Sequence, residues 1–171
     1  HQTPVLITPP WINKFYILDL NEKKSFVRNL VNNGFTVFMI SWKNPTTELR
    51  NTSLDDYMLM GPVEGMRVVQ EITGAENIHA VGYCIGGSLL ATTMGWLNGP
   101  QKKVKNLFTS FTLLTTLVDF SKPGDLGLFV DEDSMKFVEK MMAEKGYLDG
   151  KQMGTTYRMM KADGLIWNYV V

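Results

Sequence analysis

Short apolar runs alternating with stretches of helical spacing constrain this chain more than any other feature. The runs are Val5–Thr8, Phe35–Trp42, Ile78–Tyr83 and the Leu107–Leu114 portion of Val104–Val118. Between the first two, Phe26, Val27, Leu30 and Val31 carry helical spacing within Glu22–Asn33, and Gly34 stands where a helix-ending glycine belongs. Thr52-Ser53 followed by Asp55 and Asp56 reads as an N-cap with acid in the first turn. That helix runs to Thr73 and Gly74, with a kink or break expected at Gly61-Pro62. Gly86–Leu97 supplies a third helix, closed by Asn98-Gly99-Pro100. A β-α-β-α-β-α-β order with short connections predicts an α/β fold, a parallel sheet with helices on both faces. Continuous apolar runs, rather than alternating ones, suit strands covered on both sides.

After Asp119 no strand pattern returns. Pro123-Gly124 and Gly127 break the chain. Helical stretches then follow at Ser134–Lys145, at about Lys151–Lys161 and from Asp163. Residues 1–118 are therefore expected to form a partial core domain, and 119–171 the start of a helical cap. The chain begins at His1 without an initiator Met and ends on the apolar Leu165–Val171 stretch, so we expect an internal piece of a longer protein.

Composition narrows the function. The 171 residues carry 17 basic and 17 acidic side chains. A net charge of zero gives no reason to expect nucleic acid or an anionic membrane as partner. No apolar run approaches the ~20 residues of a membrane span. One cysteine and two histidines argue against a disulfide, a cysteine-based zinc cluster or a multi-histidine metal site. No nucleotide-binding glycine motif is present, and no cofactor is called for. Lys102, Lys103 and Lys105 read as a solvated loop, and Asp131-Glu132-Asp133 as a solvated helix start. The methionines at 135, 141, 142, 153, 159 and 160 suit either adaptable core packing or the lining of an apolar passage.

The chemistry lies in Ile78–Gly87, which reads strand, sharp turn, helix with Cys84 at the apex. Gly82 and Gly86 flank it as G-x-C-x-G, the cysteine version of the nucleophile elbow, with Gly87 following. Side chains at the flanking positions would collide where strand and helix cross, and the start of the helix stabilises negative charge on the sulfur. The alternative is a buried structural cysteine beside incidental glycines. An oxyanion hole needs two N–H donors. Ile85 is one candidate. Trp11 is the other, as the first amide after Pro9-Pro10, although that loop also reads as a plain strand-ending turn. His79 is five residues before Cys84 on one strand, about 16 Å away at ~3.3 Å per residue, so it is expected to be a strand histidine bonded to a neighbour. His1 is discounted. Asp119 reads as a turn residue, and the catalytic acid and histidine are expected downstream.

PPWINKFYILDL at 9–20, GYCIGG at 82–87, LLTTLVDF at 113–120 and DGLIWNYVV at 163–171 together resemble the polyhydroxyalkanoate synthases, most closely their class I enzymes. The resemblance covers essentially the whole chain. It implies an α/β-hydrolase core with a mobile helical cap, and a homodimer at polyester granules in the bacterial cytoplasm. The substrate would be a hydroxyacyl-CoA such as 3-hydroxybutyryl-CoA, the partner a growing polyester chain and the nucleophile Cys84. Asn13 and Asp19 match the family's loop as possible active-site support. A cysteine hydrolase of the same fold and a non-catalytic granule- or partner-binding module are the competing readings.

Overall fold

The computed structural model describes residues 3–12, 14–100, 104–124 and 132–150. His1, Asn13, Lys102, Lys103, Asp131 and the stretches expected to be helical after 150 lie outside them.

The chain forms two compact units. Unit one, residues 1–43 and 52–123, holds a parallel sheet of four strands. These are β1 (Thr3–Thr8), β4 (Phe35–Met39), β5 (Ile78–Tyr83) and β6 (Phe108–Leu114), in the order β4-β1-β5-β6. Val5 lies abreast of Val37 on one side and His79 on the other, and Thr8 abreast of Gly82. Helices cover both faces, so the fold is α/β. On one face Leu6 and Ala80 pack with Met66 and Val69 of α3 (Glu64–Thr73) and Leu90 and Leu97 of α4 (Ile85–Leu97). On the other, Val5, Ile7 and Val81 meet Phe26, Val27 and Leu30 of α1 (Phe26–Asn32). Successive strands leave β1 first toward β4 and then toward β5. The order therefore reverses between β1 and β5, and the crevice beyond their carboxyl ends is where open α/β sheets bind ligands.

The element boundaries carry three corrections. The helix expected from Glu22 starts at Phe26, because residues 19–25 form a small hairpin of β2 (Asp19–Asn21) and β3 (Lys24–Ser25). Asn21 Oδ1 accepts the Lys23 and Lys24 N–H groups and makes the turn. Ser25 then caps α1 by accepting from Arg28 N–H at 2.7 Å. The second strand ends at Met39 rather than Trp42, whose indole leaves the sheet for another contact. The break expected at Gly61-Pro62 is a π-helical stretch, Leu59–Val63, joining α2 (Leu54–Met58) to α3 without interruption. A wider turn accommodates the proline ring and its missing N–H.

Ser53 caps α2 through a reciprocal pair. Its hydroxyl accepts Asp56 N–H, and Asp56 Oδ2 accepts Ser53 N–H at 2.8 Å. The backbone bond from Ser53, followed by the one from its hydroxyl, holds the Asp56 carboxyl below its usual range. This contribution is complete above the unfolded carboxylate range of about 3.9 and disappears as pH falls through the lowered folded value. Ser53→Ala is expected to cost about 1 kcal/mol at pH 7 and less in acid. Thermal midpoints at the two pH values check it, and an equal loss at both would contradict the reciprocal pair.

Unit two comprises residues 44–51 and 124–171. Its described helix, α5 (Glu132–Lys145), begins slightly earlier than the sequence suggests. Arg50, after a short 3₁₀ turn at Thr47–Leu49, donates to the Ala143 carbonyl at 3.2 Å.

Candidate active site

Cys84 is the single residue between β5 and α4. Its backbone has φ 54° and ψ −130°, a region that costs a non-glycine residue about 1–3 kcal/mol and persists only where the surroundings impose it. Those surroundings are visible. Cys84 N–H donates to the Leu114 carbonyl at 3.0 Å, and its own carbonyl accepts Gly87 N–H at 2.9 Å and Thr116 Oγ1 at 3.3 Å. Thr115, the residue after β6, also has positive φ, at 45°. The thiol is half-buried.

The glycines are required sterically. A Cβ on Gly82 would stand 2.4 Å from Gly87 Cα, and one on Gly86 2.4 Å from the Thr8 carbonyl oxygen. At Gly87 a Cβ would run into the Thr116 hydroxyl. Strand β5, helix α4, the end of β1 and the segment after β6 therefore approach one another closely at this point. The G-x-C-x-G spacing predicts the crowding of strand against helix. It does not predict the part of Thr116, nor that of Ser88, whose hydroxyl donates to the Leu117 carbonyl at 2.7 Å. The Thr115-Thr116 pair directly after an apolar run was the available turn signal.

Trp11 and Ile85, from loop and helix, line one cavity of about 350 Å³, together with Leu54, Leu89, Val118 and Phe120 among others. Cys84 is not itself in the lining. The Ile85 amide is the first of α4, so the helix's own ladder offers it no acceptor. The hydroxyls at the cavity wall are already engaged: Ser88 with Leu117, and Thr92 with the Ser88 carbonyl at 3.0 Å. The cavity therefore presents mainly apolar surface.

The remaining sequence-derived residues lie elsewhere. His79 Nδ1 pairs with Ser110 Oγ at 2.5 Å on β6, and its ring stands edge-to-face with Phe35, so it is engaged in the sheet as expected of a strand histidine. Asp119 Oδ1 accepts Ser121 N–H at 2.9 Å, and hydrogen bonds from the Ser121 side chain and backbone hold its carboxyl low. It makes a turn. Asp19 accepts from Ser25 Oγ at 2.5 Å, inside the hairpin leading into α1. Among the described residues no group of three or more His, Cys, Asp or Glu could hold a metal, and no helix is long and apolar enough to cross a membrane.

A parallel α/β sheet with a strained cysteine at its topological switch point defines the class. Comparison with known proteins narrows it. Residues 1–30 match the family model described as the poly-beta-hydroxybutyrate polymerase N-terminus. The chain is 45% identical over 169 residues to the poly(3-hydroxyalkanoate) polymerase of Methylorubrum extorquens, covering 98% of this chain and 27% of the relative. It is 46% identical to the Rhizobium etli polymerase subunit, over 98% of this chain and 26% of that protein. Against the Cupriavidus necator subunit the figures are 36%, 100% and 29%. Over nearly its whole length this chain is thus homologous to a segment of the poly(3-hydroxyalkanoate) polymerases. It spans a little over a quarter of their length.

Proposed function

We propose that the chain is the nucleophile-bearing part of a polyester synthase of α/β-hydrolase type. Residues 1–118 are its core portion and 119–171 the beginning of a cap. Cys84 carries the reading: a lone cysteine, held at positive φ between strand and helix, in a chain similar to polymerases. Its sulfur attacks the carbonyl of a (R)-3-hydroxyacyl-CoA, 3-hydroxybutyryl-CoA above all. The C–S bond to CoA breaks, the thiol of CoA leaves, and the acyl group becomes a Cys84 thioester. The hydroxyl of a growing chain end then attacks that thioester, its proton passing to a base, and Cys84 returns as thiol. Exchange of one thioester for another is close to energetic balance, so the acyl group stays activated for the second transfer.

Each attack places negative charge on the carbonyl oxygen. Ile85 and Trp11 N–H are the proposed donors to it, and the cavity they line suits the apolar part of the acyl group. Asn13 and Asp19 are assigned to support of the active site. The acid and histidine that activate the nucleophile are assigned to the part of the polymerases' length that this chain does not span, since His79 is engaged with Ser110. A homodimer at granules in the bacterial cytoplasm completes the proposal.

Product identity tests it. The full-length protein, given 3-hydroxybutyryl-CoA, is expected to release CoA and leave insoluble polyester. Release with only soluble hydroxy acid would mean that water is the acceptor and the protein a hydrolase. Folded protein that releases no CoA would indicate a binding module.

A further inference from the structure

We infer that Trp42 is a positioning residue for acyl transfer, holding the loop that carries the Trp11 amide. The inference rests on the reading of Trp11 and Ile85 as oxyanion donors. Pro9 and Pro10 have no N–H, so these two residues can be tied down only through their carbonyls and rings. Trp42 Nε1–H donates to the Pro9 carbonyl at 2.7 Å, across 33 positions of sequence. The same indole stands edge-on to the Trp11 ring, with centroids 5.9 Å apart and an interplanar angle of 87°. Tyr57 of α2 closes the cluster, stacked on Trp11 at 5.0 Å and edge-on to Trp42 at 5.4 Å.

Two glycines make the clamp possible. The helical run gives way to Trp42 at Gly61, where a Cβ would lie 2.3 Å from the indole Cη2. This gives the π-helical stretch a purpose beyond accommodating proline, since it brings a side-chain-free position against the ring. On the other side of the loop, Gly86 lets α4 approach so closely that its Cβ would stand 2.6 Å from the Pro9 carbonyl carbon and oxygen. Pro9 is thus gripped between Trp42 and the first turn of α4. The spacing of the Trp11 and Ile85 amides depends on both contacts. Misplacement of a reacting group by about 1 Å costs on the order of 100-fold in rate.

The test uses the full-length protein with 3-hydroxybutyryl-CoA, in Trp42→Phe, which removes the donor, and Gly61→Ala, which keeps the indole but pushes it. Alkylation of Cys84 by iodoacetamide is followed alongside, because that reaction needs access to the sulfur but no oxyanion donor. In both variants kcat for CoA release is expected to fall ~10- to 100-fold, with KM within about threefold and alkylation within about twofold of the parent. If Trp42→Phe does not fold, Gly61→Ala decides. Unchanged kcat would overturn the inference, and so would parallel loss of turnover and alkylation, which marks collapse of the elbow itself. Turnover surviving in Cys84→Ala would instead remove the nucleophile reading beneath it.

Discussion

Cys84→Ala in the full-length protein is expected to reduce CoA release from 3-hydroxybutyryl-CoA by about 10⁴-fold or more, with the fold intact. The size follows from the role. Without the sulfur no covalent intermediate forms, and the remaining donors have no developing oxyanion to stabilise. The substitution is a clean one. Alanine keeps the Cβ and hence the strain at φ 54°, so neither relief nor addition of backbone strain confounds the comparison. The bonds that Cys84 makes to the Leu114 carbonyl and accepts from Gly87 N–H and the Thr116 hydroxyl use only its backbone atoms and persist. Cys84→Ser is expected to make no polyester either, because an oxygen ester at this position is no longer activated for transfer to a chain-end hydroxyl. Appreciable turnover by a folded Cys84→Ala protein would refute Cys84 as nucleophile.

Gly86→Ala is expected to destabilise the protein by about 3 kcal/mol or more. Its new Cβ would meet the Thr8 oxygen at 2.4 Å and the Pro9 carbonyl carbon and oxygen at 2.6 Å. These are backbone atoms at the end of β1, and no rotamer change moves them aside. Helix α4 would have to withdraw from the sheet, losing contacts of Leu89 and Leu90, both essentially fully buried. Gly95→Ala, on the same helix, is the control. Nothing lies within 4 Å of its Cβ, and alanine in a helix interior is worth about 0.5–1 kcal/mol over glycine. One substitution should lower the thermal midpoint and the other hold or raise it. Equal shifts would mean that the close approach at Gly86 does not constrain the elbow.

Much of this architecture is legible locally. The four strands of the sheet lie close to their apolar runs because each run is continuous, short and bounded by turn residues. Helix ends at Ser53 and Gly74 follow from capping chemistry, which depends only on neighbours in sequence. The G-x-C-x-G pattern exposes the elbow because its glycines answer to a local crossing of strand and helix. The features that are not legible rest on contacts that are local but weak, or distant. Asn21 turned residues 19–25 into a hairpin by accepting two backbone N–H groups on its side-chain oxygen, which no hydrophobic period records. The π-helical stretch Leu59–Val63 carries the chain past Pro62 without ending the helix, a choice of turn width that the Gly61-Pro62 pair does not distinguish from a break.

The alternation of strands and helices, the caps and the placement of one cysteine at a strand-to-helix turn are written in the order of the residues. Each depends on side-chain chemistry and backbone freedom within a few residues. The reach of Trp42 back to Pro9, the space that Gly87 leaves for Thr116 and the cavity shared by Trp11 and Ile85 arise only when the chain is folded. Those pairs are joined by the lateral order β4-β1-β5-β6. That order is set by how the two apolar faces of the sheet are covered by helices, not by any residue's immediate neighbours.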